Sequence, residues 1–154
     1  CVPASIKEYI INSRTRIDDI KEYMIVNNAP LQKMTVNFQT DENGVLIDRE
    51  DVRLFLTSNP DITVVCGGYN NLEFTRKGVD KGQGLIHLAN YLGIPIEETM
   101  AIGDTENDLE ILKTAGISVA MGNSIEDIKK LADYVTLTNE EDGVAHAIEH
   151  FLKF

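Results

Sequence analysis

From Gly78 onward the sequence alternates between helix-period segments and short apolar runs. Lys81–Leu92, Asn107–Ala115, Ile125–Leu131 and Gly143–Phe151 have helical spacing, and Thr99–Ile102, Ile117–Met121 and Tyr134–Leu137 lie between them as strand-length runs. Strands interleaved with helices of about ten residues require parallel crossovers, which predicts a doubly wound α/β layer. Open sheets of this kind gather ligands at the carboxyl ends of their strands. The loops after Ile102, Met121 and Leu137 are therefore the place to look for chemistry.

The stretch before Gly78 is organised differently. Ile6–Ile11 and Arg16–Asn27 place Ile6, Ile10, Ile17, Ile20 and Met24 at amphipathic helical spacing, with Pro30 expected to end the second helix. Lys33–Phe38 alternates in period two, with Met34, Val36 and Phe38 on one face, before a turn at Asp41-Glu42-Asn43-Gly44. A short helix around Asp48–Thr57, with Val52 and Leu56 inward, leads to two strands, Ile62–Cys66 and Asn71–Thr75, joined through Gly67-Gly68-Tyr69-Asn70. The pattern is a small αβαββ unit. The change of pattern at 75–80 is the expected lobe boundary, and 154 residues suffice for one domain or two small lobes.

With 43% hydrophobic and 25% charged residues the chain has globular composition. Its 14 Lys and Arg against 25 Asp and Glu leave a net charge of −11, which argues against nucleic-acid or anionic-membrane partners held by bulk electrostatics. The longest uncharged apolar run, Ile62–Gly68, is far below the roughly 20 residues that cross a bilayer. Cys1 and Cys66 form no metal-binding or disulfide framework, which fits a reduced cytoplasmic setting.

The sharpest chemistry is in Gly103-Asp104-Thr105-Glu106-Asn107-Asp108, three acids and an amide at a predicted strand end. Such a cluster suits Mg²⁺, which takes one or two protein carboxylates together with water and substrate phosphate. Asp104, at the strand tip, is the expected direct ligand, with Asn107 and Asp108 orienting it or its waters. The alternative is that Asn107 or Asp108 only caps the following helix. Lys81 begins a predicted helix, where a cation is electrostatically disfavoured, so it calls for a compensating anion; the alternative is an exposed lysine with no task. Asn123, in the loop after Met121, falls on the same predicted edge. Ser124 and Asp142 are candidate helix caps, Asp142 more so. Of His87, His146 and His150 only His146 and His150 stand at i,i+4 spacing, without the HExxH pattern, so all three are expected to be surface or half-buried helix residues; Tyr69, Glu73 and Phe74 are expected to belong to a strand pair, with a pocket-facing role as the alternative.

Lys81-Gly82, the string from Gly103 to Asp108, Val119-Ala120-Met121-Gly122-Asn123 and Glu141-Asp142-Gly143-Val144-Ala145, in that order and spacing, closely resemble the C-terminal half of Cof-type phosphatases of the haloacid dehalogenase superfamily. The resemblance covers residues 71–154, and residues 1–70 look, less specifically, like the later part of the α/β cap of those enzymes. It implies a partial Rossmann-like core at 76–154 and a partial substrate-specificity cap at 1–75. It also implies a Mg²⁺ cofactor and hydrolysis of small phosphorylated metabolites such as sugar phosphates. Lys81 would steady the nucleophile and the phosphoryl charge, Asp104 would hold Mg²⁺ with Asn107 and Asp108 as its supporting shell, and Asn107 and Asn123, on the same edge, would join Lys81 in binding the substrate phosphate.

The family's nucleophile lies in a DxDx[TV] strand, and no such string occurs in this sequence. Together with a start at Cys1, this leads to the expectation of a C-terminal portion of a longer phosphatase. Such a portion would be inactive alone and would be completed by an N-terminal half in the same polypeptide or in trans. An incomplete core leaves an unpaired sheet edge, which predicts dimerisation or strand exchange. The competing reading is a non-catalytic remnant that binds Mg²⁺ or phosphate, or that docks onto an N-terminal partner. A receiver-like domain is a third, and lacks the acidic pair it needs.

Overall fold

The computed structural model describes residues 4–66 and 70–152. Cys1, and the predicted joint at Gly67, Gly68 and Tyr69, lie outside the described residues. The chain divides into two compact units, Cys1–Gln32 and Lys33–Phe154.

The first unit holds helices α1 (Ala4–Ser13) and α2 (Ile20–Asn27). The second helix begins four residues later than its periodicity predicts, because Asp19 caps it: its carboxylate accepts from the Glu22 N–H at 3.0 Å. Its end is also set locally and not by Pro30. Asn28 adopts the left-handed conformation at φ 48°, and Ala29 N–H returns to the Met24 carbonyl at 3.0 Å.

The second unit opens with an antiparallel sheet of strands β1 (Lys33–Asn37), β2 (Ile62–Val65) and β3 (Asn71–Arg76), in the order β1-β3-β2, with helix α3 (Arg49–Thr57) before β2. The register pairs Met34 with Phe74, Val36 with Leu72 and Val64 with Phe74. Directly paired residues share a face, so these side chains form one apolar surface. Leu72, at its centre, is fully buried, and α3 packs against β2 and β3. The opposite face is polar apart from Val65: Lys33, Thr35 and Asn37 on β1 sit beside Asn71, Glu73 and Thr75 on β3, and Thr63 and Val65 on β2.

The remainder runs α4 (Lys81–Leu92), β4 (Met100–Gly103), α5 (Leu109–Thr114), β5 (Ile117–Ala120), α6 (Glu126–Leu131), β6 (Tyr134–Val135) and α7 (Gly143–Phe151). Strands β4, β5 and β6 pair parallel in that order, as the alternation predicts. Ala101, Ala120, Leu112 and Ile128 form the core between this sheet and its helices, with Leu109, Ile111, Ala115 and Ala132 packed against them.

The predicted helix Asn107–Ala115 is split. A 3-10 turn at Glu106–Asp108 precedes α5, closed by a capping box in which Thr105 and Asp108 satisfy each other's backbone N–H groups. The caps expected at Ser124 and Asp142 do not form. Ile125 precedes α6 with no side-chain bond, and Asp142 precedes α7 in the left-handed conformation at φ 56°, its side chain capping nothing. There Gly143 lies so close to the Leu137 carbonyl that a Cβ would collide with it, and backbone contact fixes the entry to the helix instead.

Candidate functional site

The site assembles at the carboxyl end of β4, where Gly103 hands the chain to the acidic loop. A Cβ on Gly103 would lie 2.5 Å from the Cβ of Asp108, so only glycine allows the loop to fold back against its own strand. The fold-back brings the Asp108 carboxylate onto the backbone: Oδ2 accepts from the N–H of Asp104 at 3.0 Å and of Thr105 at 3.2 Å. The Thr105 hydroxyl donates to Asn107 Oδ1 at 2.9 Å.

Lys81 arrives from the other side, at the start of α4. Helix α4 can approach α5 closely because Gly82 presents no side chain: a Cβ there would sit 2.6 Å from both the Glu110 carbonyl and the Thr114 hydroxyl. The Lys81 ammonium then donates to Asp108 Oδ1 at 2.5 Å and to Asn107 Oδ1 at 3.0 Å. A cation at a helix N-terminus is thereby offset by a carboxylate from the neighbouring loop. Burial pushes the Asp108 carboxyl up, but the Lys81 ammonium and the two backbone N–H groups outweigh it and hold the group below the ordinary aspartate value. Asp108 thus caps the turn, as one sequence reading has it, and is also the carboxylate partner of Lys81.

Asp104 stands at the strand tip, half-buried, its backbone carbonyl accepting from the Ile125 N–H at 3.4 Å. Among the described residues, no group of three or more His, Cys, Asp or Glu side chains converges as a metal cage. In the loop that follows β4, the Asp108 carboxylate accepts from Lys81 and from two backbone N–H groups, whereas no hydrogen bond to the Asp104 carboxylate is formed among the described residues. Asn107 and Asp108 are turned toward Lys81. One available carboxylate beside a polar loop is a donor set that suits Mg²⁺, which fills its octahedron largely with water and phosphate oxygens. Asn123 lies on the same edge, but its Oδ1 accepts from the Asn139 N–H at 2.9 Å, tying the loop after β5 to the loop after β6.

Lys81 and Asn107 form one wall of a cleft of about 220 Å³, together with Asp80, Glu106 and Glu110. The facing wall is the polar side of the β1-β3-β2 sheet, through Lys33, Thr63, Glu73 and Thr75. Lys33 and Thr63 escape sequence reasoning, although strand parity fixes their side of the sheet once the register is known. The same parity sorts Glu73 into the cleft and Phe74 onto the α3 side. Lys33 Nζ pairs with Glu73 Oε2 at 3.0 Å.

A second cluster sits at the end of β2. The Arg49 guanidinium donates to Cys66 Sγ at 2.8 Å, while a buried Nε of the same arginine has no partner among the described residues. Burial, and then hydrogen bonding and charge from Glu106, push the Cys66 thiol up, so it stays protonated. The histidines hold no site: His87 is exposed, and His146 and His150 stack near Tyr134, with the His146 Nδ1 3.0 Å from the Thr136 hydroxyl. No helix of the described residues is long and apolar enough to cross a membrane.

Residues 4–148 match the model of a family of haloacid dehalogenase-like hydrolases. Among curated relatives, phosphatase YwpJ of Bacillus subtilis is 52% identical over 92 residues, 60% of this chain and 32% of that protein. The 5-amino-6-(5-phospho-D-ribitylamino)uracil phosphatase YcsE of the same organism is 39% identical over 104 residues, 68% of this chain and 42% of that one. Among solved structures, a haloacid dehalogenase-like hydrolase from B. subtilis superposes with a TM-score of 0.76 at 38% identity, covering 90% of this chain and 47% of its own. A HAD subclass IIB sugar phosphatase superposes at 0.69 with 33% identity, covering 84% and 46%. The chain spans less than half the length of each of these four proteins.

Proposed function

The chain belongs to the haloacid dehalogenase-like hydrolases, and from that premise we propose that it carries part of the active site of a Mg²⁺-dependent phosphomonoester hydrolase. The observation that supports this most directly is the Lys81 ammonium held between Asn107 Oδ1 and Asp108 Oδ1 on the wall of a cleft, in the loop that Asp104 opens. Phosphoryl transfer needs little from a protein beyond positioning and charge neutralisation. Lys81 supplies a fixed positive charge for the transferring phosphoryl oxygens, and Asp108 and Asn107 keep its ammonium from swinging into solvent. Asp104 is the residue that would hold Mg²⁺; the bound metal would neutralise the phosphate charge. Asn123 holds the neighbouring loops in place by its bond to Asn139.

In this reading residues 76–154 are the core portion and residues 1–75 belong to the cap that selects the substrate. The substrates are small phosphorylated metabolites such as sugar phosphates, and the setting is cytoplasmic. The named activity of YcsE, on a phosphorylated ribityl chain, and the sugar phosphatase neighbour both favour a hydroxyl-bearing leaving group. The nucleophile comes from a DxDx[TV] strand, a string absent from these 154 residues, supplied by the same polypeptide or in trans. Among the described residues strand β4 pairs with β5 alone, and it consists of the uncharged residues Met100-Ala101-Ile102-Gly103, so its other edge is the place for that strand to add.

Mg²⁺-dependent hydrolysis of p-nitrophenyl phosphate tests this. The expected result is no turnover by the 154 residues alone, turnover when the N-terminal portion of a relative such as YwpJ is co-expressed, and its loss in Asp104→Ala. Turnover by the chain alone that Asp104→Ala abolishes would place the nucleophile within it. Failure of complementation would favour a remnant that binds Mg²⁺ or phosphate without catalysis.

A further inference from the structure

Every cation on the walls of the cleft is already engaged by a carboxylate. Lys81 is bound by Asp108 at 2.5 Å, and Lys33 by Glu73 at 3.0 Å. Three further acids, Asp80, Glu106 and Glu110, line the same space and add negative charge to it. The Glu73 side chain is only 19% exposed, so its field acts through a partly desolvated path and is not fully screened. Lys33 and Glu73 lie on diagonal positions of β1 and β3, on the sheet face that looks away from α3, which fixes them opposite the wall that holds Lys81.

We infer that the Lys33–Glu73 pair is a selectivity element that rejects leaving groups carrying a second anionic group. The pair is neutral as a unit. It offers hydrogen-bond donors and acceptors to hydroxyl groups, and Thr63 on the same wall offers another; unlike the Lys81–Asp108 pair, which shares its loop with the Asp104 that would hold Mg²⁺, it has no second cation beside it among the described lining residues to attract a second phosphate or carboxylate. A bisphosphorylated metabolite would place its distal phosphate against Glu73 with Lys33 already neutralised, whereas the matching monophosphate would place only hydroxyls there. Specificity then comes from repulsion built into the wall and not from tighter contact with the preferred ligand. The inference rests on the phosphatase reading, since it takes the phosphoryl group to lie at Lys81.

Titrations of the isotope-labelled 154-residue chain, followed by backbone amide NMR in Mg²⁺ buffer, test it with three probes: inorganic phosphate, a hexose monophosphate and the matching hexose bisphosphate. Inorganic phosphate is expected to move the Lys81 and Asn107 signals only, and the monophosphate to move those of Lys33, Thr63 and Glu73 as well. The bisphosphate is expected to bind about tenfold more weakly than the monophosphate, and Glu73→Gln, which frees Lys33, to close that gap. Lys33→Met, which leaves Glu73 unpaired, is expected to widen it. Equal affinity for the two hexose phosphates in the unaltered chain would overturn the inference while leaving the phosphatase reading intact. A gap that Glu73→Gln leaves unchanged would do the same. If none of the probes moves Lys81 or Asn107, the phosphatase reading fails and the inference falls with it.

Discussion

Lys81 and Asp108, 27 residues apart in sequence, meet at 2.5 Å between the start of α4 and the turn that precedes α5. The contact joins two separate requirements. The Asp104 and Thr105 N–H groups bind the ionised Asp108 carboxylate more strongly than its neutral acid, and Lys81 must be offset at the positive end of its helix. Each satisfies the other, so the acidic loop is a preformed element and not a loose chain awaiting a ligand.

Asp108→Ala removes a capping-box member and strands the ammonium at once. The expected loss is about 2–3 kcal/mol, combining a lost cap with a lost charge-assisted hydrogen bond. Urea unfolding would show a lower midpoint with an unchanged slope. A loss below about 0.5 kcal/mol would mean that the turn holds itself without this carboxylate.

Lys81→Met separates stability from binding. The lysine side chain is half exposed, so the ion pair contributes little after solvent screening, and the expected change in stability is under about 1 kcal/mol. Phosphate binding, followed through the Asn107 amide signal, should nevertheless disappear. Persistent binding would place the phosphate elsewhere.

Acid should weaken the fold through Asp108 and Asp133. Both carboxyls titrate below the ordinary aspartate value in the folded chain. For Asp108, hydrogen bonds from Lys81 and the loop backbone overcome the effect of burial; for Asp133, the Ser118 hydroxyl and N–H are responsible. A depressed folded-state value gives stability that is complete above the unfolded value, about pH 4, and is lost as pH falls through the folded values. Unfolding midpoints measured from near neutrality into that acid range should therefore fall, and fall less steeply in Asp108→Asn. An identical slope in the variant would remove Asp108 from the account.

Two glycine substitutions should act in opposite directions. Gly103→Ala forces a Cβ to within 2.5 Å of Asp108 and should cost about 2–3 kcal/mol through overpacking of the site loop. Gly84→Ala, inside α4 with open space where its Cβ would go, should stabilise by about 0.5–1 kcal/mol through helix propensity and a less flexible unfolded chain. Thermal melts of both variants give the comparison directly.

The core should respond as a packed interior. Ile128, fully buried among Ala101, Leu112 and Ala120, is expected to cost about 2–5 kcal/mol when changed to alanine. A smaller loss would show that the neighbouring helices collapse into the space.

Much of this protein follows from local pattern. The alternation after Gly78 determines a parallel β4-β5-β6 sheet, because segments of that length have few other ways to bury their apolar sides. The period-two stretch at Lys33 likewise determines a strand with Met34 and Val36 inward. Local chemistry still moved the boundaries: Asp19 and Asn28 fix the ends of α2, where periodicity alone pointed to Arg16 and Pro30, because a cap competes residue by residue with a pattern averaged over turns. The acids and amide from Asp104 to Asp108, and Lys81, are legible as candidates from residue type and position alone. Their division of labour is not. That Asp108 turns to Lys81 while Asp104 stays available depends on Gly103 and Gly82 letting backbones approach, and that Glu73 faces the cleft while Phe74 faces α3 depends on the register of β1 and β2 against β3. These are long-range contacts, decided by the summed packing of elements far apart in the chain. No window of sequence contains them, and only the tertiary structure does.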